Sequence, residues 1–202
     1  MDNLRGLAAL AVVCAWMMFG GALLAARLRQ RALGGGGSVA KRDAASWLGM
    51  ALQGAGFAIV WGANRTHATF WPNMGLGEMT TLAFLTVTLA FGSAMLGLLA
   101  VRELGKQWSL SARVLEAHEL VQSGPFAQVR HPIYSALLGL LLATGLALST
   151  ALLTGLAALV YLAGTYWRAT REEALLRAHF GATYEDYARR VPLLFPRFWK
   201  KN

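Results

Sequence analysis

At 202 residues, 56% apolar and only 14% charged, the chain departs from an average soluble domain, in which roughly a quarter of residues are charged. Nineteen Lys and Arg against ten Asp and Glu give a formal charge of +9. The apolar residues are gathered into long uncharged runs, so this excess reads as membrane topology rather than as a nucleic-acid footprint. The lone Cys14 excludes a disulfide scaffold or a cysteine metal site within one chain.

Taken in chain order, the charge-free gaps define the spans. Arg5 to Arg27 encloses 21 residues, Asp43 to Arg65 encloses 21 and Glu78 to Arg102 encloses 23, each enough to cross a hydrocarbon core that needs about 20. The first gap exceeds the apolar core of a usual signal peptide, and the arginines from Arg27 onward resemble a stop-transfer flank. Gly34 to Gly37 with Ser38 reads as a plain flexible connector. The gap from Arg130 to Arg168 holds 37 residues, enough for two helices of about 17 joined by a tight turn. That hairpin is expected to turn near Ser149 and Thr150.

Basic residues separate the two faces. The segments 27–46, 102–130 and 168–202 carry 17 of the 19 Lys and Arg, and all three fall on one side if five helices alternate. Because short cytoplasmic loops are rich in Lys and Arg, the expected arrangement is N-terminus outside and C-terminus in the cytoplasm. Only Arg5 and Arg65 lie opposite, and the loop 65–78 carries Trp71 and Pro72, which suit an interface. The expected fold is therefore all-α and integral to the membrane, with about five transmembrane helices and a cytoplasmic C-terminal amphipathic helical segment.

Chemistry is expected in the two polar stretches on the basic side. In Leu104–Tyr134, Gly124 and Pro125 mark a turn, and Pro132 suits the first turn of a helix, where its missing N–H costs nothing. Arg130, His131 and Tyr134 then sit at a helix N-terminus, whose free N–H groups favour anionic groups. In Arg168–Trp199, Arg168 and Glu172 share a helix face at i, i+4. Gly181 is expected to end one amphipathic helix and Thr183 to cap another carrying Tyr184 and Tyr187, both lying against the membrane.

The stretch GPFAQVRHPIY, followed after a hydrophobic hairpin by EEALLRAHFGATYEDYARRVP, resembles the integral-membrane methyltransferases of the isoprenylcysteine carboxyl methyltransferase type. The wider group includes phospholipid N-methyltransferases and membrane thiol methyltransferases. The resemblance covers about residues 104–199 and divides the chain into three N-terminal spans, 1–103, and a catalytic region, 104–202. It implies S-adenosylmethionine as methyl donor, bound in a pocket facing the cytoplasm, with no metal. Carried over position by position, His118, Glu119, Leu120 and Val121 would line the cofactor through backbone groups. Phe126 stands where the family commonly has tyrosine. His131, Pro132, Ile133 and Tyr134 would continue the wall, and Glu172 would hold the polar end. Arg130 is a further donor candidate and Ser111 a weaker contact.

The resemblance also implies that Arg168 faces the acceptor: a lipophilic small molecule, a lipid or a prenylated substrate. A positive charge there favours an anionic acceptor such as a carboxylate, which needs no general base. The alternatives are an ethanolamine headgroup, a thiol, a nicotinamide-dependent membrane reductase or a non-enzymatic membrane scaffold. Against the scaffold stands the clustering of polar motifs on one face.

Overall fold

The computed structural model describes residues 2–32, 39–42, 46–63, 70–71, 74–105, 113–115 and 120–197. Within them the chain forms six α-helices: α1 (Asp2–Ala32), α2 (Ser46–Ala63), α3 (Leu76–Leu104), α4 (Pro132–Leu148), α5 (Ala151–Phe180) and α6 (Ala182–Arg190). Two of them, α1 and α3, are long and apolar enough to cross a membrane, while α4 is a shorter apolar helix of 17 residues.

The expected hairpin is present, with Ser149 ending α4 and the Thr150 hydroxyl accepting from the Leu153 N–H at the start of α5. Its second arm differs from expectation. Rather than a span followed by a separate surface helix, α5 runs unbroken for 30 residues, carrying Arg168 and the paired glutamates on the same rod as the apolar segment. No Gly or Pro interrupts 165–180, so nothing breaks the helix before Gly181, which adopts φ +53° as glycine readily does. Thr183 does not cap α6. That helix starts at Ala182 directly after Gly181.

A second difference is a two-stranded antiparallel ribbon, β1 (Val39–Arg42) with β2 (Arg113–Leu115), interrupted by a bulge between Val39 and Lys41. It joins the α1–α2 connection to the α3–α4 connection, a small addition to an all-α, six-helix fold.

Small residues set the helix packing, as they do where apolar helices approach closely. Between α2 and α5, a Cβ at Gly49 would lie 2.7 Å from the Gly164 carbonyl, and one at Gly164 would lie 2.7 Å from the Gly49 carbonyl. Between α3 and α4, a Cβ at Gly139 would meet the Ser93 hydroxyl, while Gly97 makes room for the Phe19 ring of α1. One core joins Val12, Phe19, Ala90, Ala94 and Leu140, and another joins Val60, Leu141 and Tyr161. Outward, Leu10, Met17, Phe84 and Leu159 remain exposed, as lipid-facing positions do.

At one end of the bundle, Trp71 donates its indole N–H to the Leu146 carbonyl at 3.2 Å, and the Phe70 N–H bonds to Ser149 O at 3.0 Å. The site lies at the other end, where α4 begins and α5 passes Gly49 on α2.

Candidate active site at the RHPIY helix start

Gly124–Ala127 forms a 3₁₀ turn, with Gly124 at φ +56°. The Ser123 hydroxyl donates to Glu103, which moors this turn to the end of α3. Pro132 occupies the first position of α4, after His131. The backbone leading into α4 is held by the tail. The N–H groups of Arg130 and His131 bond the carbonyls of Pro192 (2.8 Å) and Leu193 (3.1 Å), and the Ser135 hydroxyl bonds that of Leu194 (2.6 Å). The tail beyond α6 thus packs against the residues that lead into α4.

The two adjacent glutamates of α5 have separate surroundings. Glu173 is buried, with its side chain 6% exposed, and receives Arg130 Nε at 2.7 Å and Arg177 Nη2 at 3.1 Å, with His131 Nε2 at 3.3 Å. Burial opposes its ionisation, but hydrogen bonds from His131 and Arg130, together with their charges, outweigh that and hold the carboxyl at about 2. Arg130 also donates to the carbonyls of Ala188 (2.9 Å) and Val191 (2.5 Å). Its guanidinium therefore binds α5, α6 and the tail together and is engaged by the protein itself.

Glu172 is 21% exposed. Its Oε1 accepts from the Tyr134 hydroxyl and lies 3.4 Å from Arg168 Nη2, while its Oε2 is 3.6 Å from His131 Nδ1. A carboxylate has about four acceptor positions, so Oε2 keeps capacity for a further donor. The His131 and Tyr134 rings stack at 5.4 Å with 9° between planes, and the Arg168 guanidinium lies 5.0 Å from the Tyr134 ring centre.

Arg168 is more enclosed than a residue at a membrane boundary would be, at 8% exposed. Its Nη1 donates to Gln53 Oε1 at 3.0 Å, and the Gln53 amide donates in turn to the Thr165 hydroxyl at 2.8 Å. Its stem lies against Gly49, where any Cβ would overlap it. Gln53 is the residue that the sequence reading missed. The available signal was an amide inside an otherwise apolar helix, where a buried polar group is costly without a partner.

Phe126 is buried, and its carbonyl accepts from the Tyr187 hydroxyl at 2.7 Å. Burial pushes that phenol up to about 12, so it stays a donor. Pro132 is also buried, whereas Ile133, Leu120 and Val121 are half-buried. Ser111, His118 and Glu119 lie outside the described residues. The structure thus gathers Arg130, His131, Tyr134, Arg168 and Glu172 around one corner, with Phe126 on the neighbouring turn.

Residues 84–178 match the isoprenylcysteine carboxyl methyltransferase (ICMT) family. The resemblance read from the RHPIY and EEALL stretches is thereby supported independently. The ICMT match runs from α3 to Ala178 on α5, and so includes all five residues of that corner; α1 and α2, with Gln53, lie outside it. No curated protein matches the chain.

Proposed function

We propose that this protein is an S-adenosylmethionine-dependent membrane methyltransferase acting on a lipophilic acceptor, with isoprenylcysteine-type carboxyl O-methylation as its reaction. The observation that carries the reading is Glu172: a partly exposed carboxylate fixed by Tyr134 and Arg168, within the stretch that matches a methyltransferase family. The donor set suits S-adenosylmethionine, because Glu172 Oε2 has room for an ammonium and the stacked His131 and Tyr134 rings offer an aromatic wall.

When bound, S-adenosylmethionine supplies an electrophilic methyl group on a sulfonium. Glu172 binds its ammonium by a charge-assisted hydrogen bond, and the Tyr134 hydroxyl keeps that carboxylate in one orientation. Phe126, His131 and Tyr134 exclude water. Arg168 draws in an anionic acceptor and directs it, and a carboxylate needs no base to become nucleophilic. Positioning and dryness then carry most of the rate.

The membrane arrangement proposed with this is five spans, N-terminus outside, C-terminus and site in the cytoplasm. The exposed aromatics Trp47 on α2 and Tyr166 and Trp167 on α5 support it, because they stand next in sequence to the Gly49–Arg168 contact, as aromatics at a membrane interface would. Reporters fused after Asn202 and within Gly34–Gly37 should both read as cytoplasmic, and a reporter near Thr66 as external. A C-terminal fusion reading as external would overturn this orientation.

The reaction is tested by incubating membranes with methyl-labelled S-adenosylmethionine. Label in a base-labile ester is expected; label in a lipid amine or a thioether would instead assign N- or S-methylation. Glu172→Gln should weaken donor binding about tenfold or more by calorimetry. Unchanged affinity would remove Glu172 from the site.

A further inference from the structure

On the side of the bundle formed by α1 and α3, the C-terminal ends of these two helices part around a cavity of about 220 Å³. Its walls are two matched helical stripes. Ala22, Ala25 and Arg29 lie at i, i+3, i+7 on α1, and Leu98, Val101 and Arg102 lie at i, i+3, i+4 on α3, so each stripe occupies one helix face. Deeper in the bundle the same helices are in contact, the Phe19 ring pressing on Gly97. The cavity opens where alanines replace such a filler.

The chemistry of the lining changes along its length. The wall toward the bundle centre is apolar, and both arginines stand at the helix ends. Neither Arg29 nor Arg102 forms an ion pair among the described residues. The acidic side chain next to Arg102 in sequence, Glu103, is engaged by Ser123. Helix C-terminal carbonyls favour the arginines where they are but do not neutralise them. An apolar cleft ending in two guanidiniums that have no ion pair among the described residues complements an amphiphile with an anionic head, and arginine suits phosphate in particular.

We infer that this cleft binds one anionic phospholipid, its phosphate between Arg29 and Arg102 and the upper part of one acyl chain against Ala22, Ala25 and Leu98. The inference rests on the membrane reading of α1 and α3, the two helices whose length and hydropathy suit a span, and not on methyl transfer. The site is separate from Glu172 and Arg168, since the cavity lining includes no residue of α2, α4 or α5.

The test is a titration of the purified full chain with palmitoyl-oleoyl phosphatidylglycerol or the matching phosphatidylcholine, followed by native mass spectrometry. The glycerol lipid is expected to bind at least about tenfold more tightly. Arg29→Gln with Arg102→Gln should abolish that preference, weakening phosphatidylglycerol more than phosphatidylcholine, whose phosphodiester is already offset by its choline cation. Ala25→Phe, which leaves both charges and fills the cleft, should also weaken phosphatidylglycerol binding about tenfold. Millimolar inorganic phosphate should not displace the lipid. Equal binding of the two lipids overturns the inference, as does a preference that survives the double arginine variant, phosphatidylglycerol binding that is unchanged in Ala25→Phe, or displacement of the lipid by free phosphate. A chain recovered in the aqueous fraction of lysed cells would instead overturn the membrane reading itself.

Discussion

Glu173→Ala is expected to be the most destabilising substitution at this end of the bundle, costing about 3 kcal/mol because it strands a largely enclosed positive charge. Arg130 stays among the Ala188 and Val191 carbonyls with its carboxylate partner gone, and the α5–α6 junction loses its central anion. Arg177 contributes less to the loss: it is 41% exposed and keeps Glu185 at 2.8 Å. The sign of the pH dependence follows from the carboxyl itself, which lies outside the apolar part of α5. Its folded value of about 2 lies below the ordinary 4.5, so its contribution is complete at neutral pH. It then fades as pH falls from about 4.5 toward 2. Thermal melts of wild type and Glu173→Gln should therefore differ by a constant amount between pH 5 and 7 and converge below about 4.5. A gap that stayed constant to pH 3 would mean that Glu173 does not hold the tail through its charge.

The helices were legible in the sequence wherever charge alone bounded them. The turn at Ser149 and Thr150, Pro132 at the start of α4 and the stop at Gly181 all follow from local chemistry, and local chemistry is what a sequence displays most directly. The unbroken α5 was less legible, because a change from apolar to charged residues looks like a boundary although helix propensity does not drop there. The β1–β2 ribbon was hidden for a different reason. Its strands are three and four residues long and about 70 residues apart, so no local pattern announces their pairing.

At the site, sequence spacing placed Arg168 and Glu172 on one face, and the structure keeps them together. Spacing could not distinguish Glu172 from Glu173, which are adjacent yet opposite in role: one is enclosed by Arg130, His131 and Arg177, and the other is partly open beside Tyr134. That division depends on contacts 38 to 43 residues away along the chain. For the same reason Arg130 reads as a free donor in sequence and as a tail clamp in three dimensions.

Arg168→Ala should lower turnover by about 10²-fold, the scale expected when an acceptor loses its positioning group. A snorkelling arginine used only as a membrane anchor would reach for water, whereas Arg168 is 8% exposed and spans Gln53, Glu172 and the Tyr134 ring. Its contact with Glu172 means that donor affinity should also fall, but by less than in Glu172→Gln, since Tyr134 still orients the carboxylate. Arg168→Lys should rescue only partly, because one ammonium cannot replace a planar fork engaged at two edges. Gln53→Leu separates positioning from charge: it keeps the guanidinium but removes its 3.0 Å acceptor. That variant should lower kcat with acceptor KM and donor affinity nearly unchanged if Gln53 matters mainly in the transition state. Steady-state kinetics on the three variants, with acceptor and donor varied in turn, check this. Full rescue by lysine together with normal kinetics in Gln53→Leu would return Arg168 to the role of a packing and anchoring residue.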